Sequence, residues 1–152
     1  MKITVMILIL SILTHVGFGQ SKSVADLYSQ YKNHPDLFHL DLGGNFLGLA
    51  KSFNVNIDNE QANSLSKATE KVSMYKFPKS AKTGEFNHLK RGLEKEKFEL
   101  LLEAGKPSDG VSIYGKGSKK IKDLIIMVES DELIILELLG DFDPEMLSKF
   151  IN

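Results

Sequence analysis

Three stretches of this 152-residue chain carry residue types that could do chemistry. "GVSIYGKG" sets Gly110, Gly115 and Lys116 at the spacing of a phosphate-binding loop, in which backbone amides and a lysine cradle a polyphosphate. The position that must bring a hydroxyl to magnesium is Gly117, and Val111, Ser112, Ile113 and Tyr114 alternate like a strand. Turn glycines in a hairpin are therefore expected. "NVNIDNE" places oxygens at Asn54, Asn56, Asp58 and Glu60, as a calcium loop does, but Asn59 stands where glycine is needed and Leu65 where a bidentate acid is needed. Helix capping accounts for it: Asp58 accepts from exposed amides and Gln61 completes a capping box. "GDFDP" has the acidic spacing of phosphoryl-transfer enzymes, yet Asp143-Pro144-Glu145 is also a helix start, with a cap, a first-turn proline and an acid at the positive end.

His34, His39 and His88 fall in different elements, with no i, i+4 pair that would hold a metal and no adjacent nucleophile to activate. There is no GxSxG, no HExxH and no cysteine, which removes disulfides, cysteine-bound zinc, thiol catalysis and a lipid-modified cysteine anchor. No catalytic, metal or cofactor residues are assigned, and no cofactor is expected. A hydrolase built on an unfamiliar arrangement of Asp or His stays open as an alternative.

The elements that would position any site begin after an opening segment of another kind. "MKITVMILILSILTHVGFGQ" has a basic start at Lys2, an apolar core from Ile3 to Leu13 too short to span a bilayer, and Gly17 and Gly19 ahead of Gln20. That is the layout of a secretory signal peptide cut near Gly19/Gln20. Residues 1–19 are expected to be removed, leaving residues 20–152 as a single periplasmic or secreted domain with no transmembrane segment. The remainder carries 18 basic and 20 acidic side chains, so no positive field would draw nucleic acid.

"SVADLYSQYKN" spaces Val24, Leu27, Tyr28 and Tyr31 as a helix, ended by His34-Pro35. "LFHLDL" reads as a strand leading into a helix over "NFLGLAKSF", and a short helix starts after Asp58. "KVSMYKF" is a strand closed by Pro78. A helix to about Glu96 then passes into a strand from Phe98 to Ala104. "GVSIYGK", "KIKDLIIMV" and "LIILELL" are further strands joined by tight turns, and "DFDPEMLSKF" closes the chain as a helix. Short links demand antiparallel pairing, so the fold class is α+β, helices packed on one face of a largely antiparallel sheet with a C-terminal four-stranded meander.

In the last two strands Leu124, Ile126, Val128, Ile134, Leu136 and Leu138 form a wholly apolar set, which should face the helices. The opposite set mixes Ile121, Ile125, Met127, Leu133, Ile135 and Leu139 with Asp123 and Glu137. If that second set looks outward, it is an interaction surface centred on Ile125, Met127 and Ile135. The competing reading is a strand pair covered on both faces.

The chain resembles the exported bacterial family DUF4252, on the strength of the "GFGQ" signal end, "LFHLDLGGNFLGLAK", "KVSMYKF", the Phe98 strand, "VSIYGK" and "IKDLIIMVESDELIILELLGDFDPEMLSKF". The resemblance implies an envelope location and brings no reaction and no site residues. The function expected is binding, to another envelope protein or by self-association. The alternatives are the hydrolase and a small-ligand carrier with a pocket lined by Phe46, Phe53, Met74 and Tyr75.

Overall fold

A computed structural model describes residues 20–43, 60–81, 84–106 and 109–151. The elements run α1 (Lys22–Tyr31), β1 (Phe38–Gly43), α2 (Glu60–Ala68), β2 (Thr69–Phe77), α3 (Gly84–Lys95), β3 (Glu99–Lys106), β4 (Asp109–Gly117), β5 (Ile121–Glu129), β6 (Leu133–Phe142) and α4 (Pro144–Ile151). All six strands join one antiparallel sheet in the order β1-β2-β6-β5-β4-β3. The α+β class and the C-terminal meander are as expected, and so are Phe98 as the border between a helix and a strand and "GVSIYGKG" as strand β4. The helix expected over "NFLGLAKSF" lies outside the described residues.

Local chemistry sets the borders. Ser21 caps α1, its Oγ accepting from Val24 N at 3.3 Å. Asp143 caps α4 by accepting from Glu145 N at 3.0 Å, which is the helix-start reading of "GDFDP". The end of α3 is a Schellman turn: Phe98 N donates to the Leu93 carbonyl, Lys97 N to that of Glu94, and Lys97 takes φ +74°. Leu93 and Phe98, the two ends of that turn, are both buried.

The sheet has a helix layer on each face, where the sequence suggested one. On the first face α1 and α3 cover Tyr75, Phe77, Ile125, Met127 and Ile135, with Val24, Leu27, Leu89 and Leu93 supplying the helix side. On the second, a smaller core of Val72, Leu124, Leu138 and Phe142 packs against Leu147 of α4 and Leu65 and Ala68 of α2. The competing reading of the last two strands is the one that holds. Ile125, Met127 and Ile135 are 0% exposed, so they are core and cannot present an interaction surface. The wholly apolar set is the less covered one: Leu124 and Leu138 are buried, whereas Ile126, Val128, Ile134 and Leu136 are only partly so.

Met74 and Tyr75 are neighbours on β2 and point to opposite faces, Tyr75 into the α1/α3 core and Met74 away from it. They cannot line one pocket together, and Phe46 and Phe53 lie outside the described residues. The small-ligand pocket drawn from these four residues is thereby set aside.

Candidate functional site

Strand alternation turns Asp123 and Glu137 inward, beneath the start of α1. Across the β5–β6 ladder Asp123 faces Leu139 and Glu137 faces Ile125, which leaves the two acids diagonal on one sheet face. Asp123 is 6% exposed and Glu137 1%. Their carboxyl groups hydrogen-bond to each other, Asp123 donating. Burial first, and then the charge of Glu137, push the Asp123 carboxyl up to about 9. Burial also raises Glu137. Two carboxylates this close in a dry site cannot both ionise, so the pair holds one proton at neutral pH.

Glu137 Oε2 accepts from Ser21 N at 2.9 Å. Glu96, held in place by the Schellman turn, comes to the same helix end and accepts from Ser21 Oγ at 2.8 Å, Lys22 N at 2.7 Å and Ser23 N at 3.1 Å. Burial opposes ionisation of Glu96, but these hydrogen bonds outweigh it and hold the carboxyl below its usual range. Gly92 allows the approach, since a Cβ there would collide with Ser23 Oγ. The first turn of α1 carries no acid of its own. Its negative cap comes from the turn after α3 and from β6 instead.

The network continues toward β1. Gln20 Nε2 donates to Tyr75 Oη. The Tyr75 ring stacks on His39 at 4.6 Å between centroids and 3° between planes. His39 Nε2 lies 3.0 Å from Asp41 Oδ1, and Ser73 Oγ donates to the same oxygen at 2.6 Å. The hydrogen bond from Ser73 is the main reason that Asp41 stays below the usual carboxylate range. These are the residue types of a hydrolytic triad in the wrong order. An activated serine must give its proton to the imidazole, whereas Ser73 is buried and bonded to the acid.

His34 sits in the turn after α1, its Nδ1 accepting from Asp36 N at 3.1 Å, while His88 lies on α3 beside a cavity of about 330 Å³ between α1 and α3. The fold does not gather the three histidines. Among the described residues no group of three His, Cys, Asp or Glu is placed to hold a metal ion, and no helix is long and apolar enough to cross a membrane. Neither Asp123 nor Glu137 lines the described cavities.

Among the described residues the exposed large apolar side chains lie at the two sheet edges, Leu100 (48% exposed) on β3 and a pair on β1, whose outer side is unpaired among those residues. Phe38 is 49% exposed and Leu40 39%. Both point to the second sheet face, beside the partly covered Met74. The opposite edge, β3, is defended by a bulge at Leu100/Leu102 and by Glu99, Glu103 and Lys106. Sequence reading missed Glu96, Asp123 and Glu137 as a group, although an acid inside an apolar strand is costly unless partnered, and that cost was the available signal.

No curated protein and no solved structure matches the chain. One family model does, over residues 31–150, from β1 and the end of α1 through almost all of α4. That span takes in the whole described sheet, and the chain belongs to the family described as Domain of unknown function (DUF4252).

Proposed function

We propose that this is an exported envelope protein, freed of residues 1–19, that acts by binding, and that the surface it uses is the β1 edge with a second copy of the chain as partner. The observation that carries the reading is the pair of exposed apolar side chains, Phe38 and Leu40, on a strand whose outer edge is unpaired among the described residues. An edge of that kind is a template for another strand.

A second copy suits it because β1 is complementary to itself. With a two-fold axis through Leu40, antiparallel pairing sets Leu40 against Leu40 and Phe38 against Leu42 on one face, and His39 against Asp41 on the other. Apolar residues meet apolar ones and a basic ring meets a carboxylate, twice over. Cross-strand pairs of these kinds each stabilise a ladder by about 0.2–1 kcal/mol.

Light scattering after size exclusion tests this. The wild type should run as a concentration-dependent dimer, and Leu40→Lys, which sets two like charges against each other at the axis, should run as a folded monomer. The cysteine-free chain allows a second check, because Leu40→Cys should close one disulfide between two copies under mild oxidation. A wild type that stays monomeric at high concentration, or Leu40→Cys that remains reduced, would sink the proposal.

A further inference from the structure

We propose that the Asp123–Glu137 carboxyl pair is the seat of an α-ammonium group, the one created when the peptide bond between Gly19 and Gln20 is hydrolysed. The inference rests on the export reading above and adds what the new terminus would do. Hydrolysis by the host's signal peptidase consumes one water, leaves a carboxylate on Gly19 and leaves an ammonium group on Gln20. The amide nitrogen it replaces is neutral with one N–H, whereas the ammonium is a cation with three.

The place that cation would occupy is short of positive charge. Glu96 is ionised and the Asp123–Glu137 pair carries one more negative charge. Among the described residues none of the three forms an ion pair with a lysine, arginine or histidine. Lys116 of β4 and Lys71 of β2 act on the pair only through space. Tyr75 also faces it from β2 and is neutral, and Asp41 on β1 adds a further negative charge beyond Tyr75. The N-terminus of α1 offers about half a positive charge. Among the described residues Asp123 Oδ1 and Glu137 Oε1 have no hydrogen-bond partner outside the pair, although both residues are more than nine-tenths buried.

The route for the terminus is built. Gln20 is held by its side chain on Tyr75 Oη, and the next amide, Ser21 N, donates to Glu137 Oε2 at 2.9 Å. Gln20, itself exposed, is one residue upstream, its Cα about 3.8 Å from that of Ser21 along a trans chain. A cation there, next to a buried carboxylate, supplies the counter-charge that such a group requires.

An α-amine that gains this partner has its pKa raised above the unfolded value of about 7.7–8.0. Its contribution is fully present below that value and is lost as pH rises through the folded pKa. The test expresses the full chain in an exporting bacterial host and reads its first residue by mass spectrometry. The processed protein, and the same protein acetylated selectively at its α-amine, are then melted between pH 6 and pH 10, as wild type and as Glu137→Gln. The expected result is a chain starting at Gln20, with acetylation lowering the midpoint by about 4 °C at pH 6.5. That gap should close at high pH and should vanish in Glu137→Gln. Equal midpoints for the free and acetylated forms, a gap that survives Glu137→Gln, or a terminus cyclised with loss of ammonia would overturn the seat. A first residue other than Gln20 would overturn it too, while the dimer measurement above would still stand by itself. Should Glu137→Gln fail to fold, the acylation rate of the α-amine against pH decides, since an ordinary pKa refutes the pairing and a raised one supports it.

Discussion

Ser21 N donates to Glu137 Oε2 across 2.9 Å, fastening the start of α1 to the middle of β6. The same carboxyl group is the partner of Asp123, so the helix end and the shared proton form one unit. Its pH behaviour follows from that coupling.

Asp123 has a folded pKa raised to about 9 from an ordinary 3.8. Between those values the folded chain keeps a proton that the unfolded chain has released, so stability falls as pH rises from about 4 toward 9. Asp123→Asn keeps a donor for Glu137 and removes the need for that proton. Thermal melts should show the variant more stable than wild type at pH 7–8, by at least about 1.4 kcal/mol, the worth of one pKa unit. The two should converge at pH 4, and a variant that is weaker at every pH would count against the shared proton.

Glu96 works in the opposite sense. Its folded pKa is lowered, so its contribution is present above the unfolded pKa of about 4.3 and is lost as pH falls through the folded value. Glu96→Ala removes the acceptor of three hydrogen bonds from Ser21, Lys22 and Ser23. Urea unfolding at pH 7 should show a loss of about 1–3 kcal/mol, narrowing in acid. Fraying of α1 should appear as faster amide exchange at Lys22 and Ser23.

Substitutions on the two sheet faces should behave differently. Ile135→Ala opens a cavity in the α1/α3 core and should cost about 2–5 kcal/mol. Met127→Glu buries an unpaired charge where Met127 is fully enclosed and should leave the chain unfolded by circular dichroism. The exposed Leu40→Lys should change monomer stability by no more than about 0.5 kcal/mol.

Lys97 takes φ +74° at the end of α3, a conformation that costs an L-residue about 1–2 kcal/mol. Lys97→Gly should therefore stabilise the protein by about 1 kcal/mol in a denaturant titration. Lys97→Val should do the reverse, since a β-branched residue fits that region poorly.

Punctuation made the order of elements readable. Pro35, Gly43-Gly44, Pro78 and Asp143-Pro144 mark ends that depend on nearby residues, and the helices and strands fall between them. The covered face of β5 and β6 was not readable in this way. Both alternating sets there are apolar, and Asp123 and Glu137 within one set read as a sign of solvent. They are buried because partners arrive from far along the chain: Ser21 lies 116 residues from Glu137, and Glu96 reaches the same helix end from the turn after α3. Likewise, nothing in "KVSMYKF" says that it pairs with "LIILELL". Asp123 and Glu137 become neighbours only once that strand order and register exist.

The sheet order carries a consequence for timing. β6 is among the last strands to be synthesised, yet it sits at the centre of the sheet, between β2 and β5. Until it emerges, the β1–β2 pair and the β3–β4–β5 meander are two open halves, and α1 lacks the Glu137 that holds its first turn. Long-range pairing of this kind is slow to form. The centre of the sheet therefore closes last, and the two cores on its faces, both of which draw on β6, are completed in the same step.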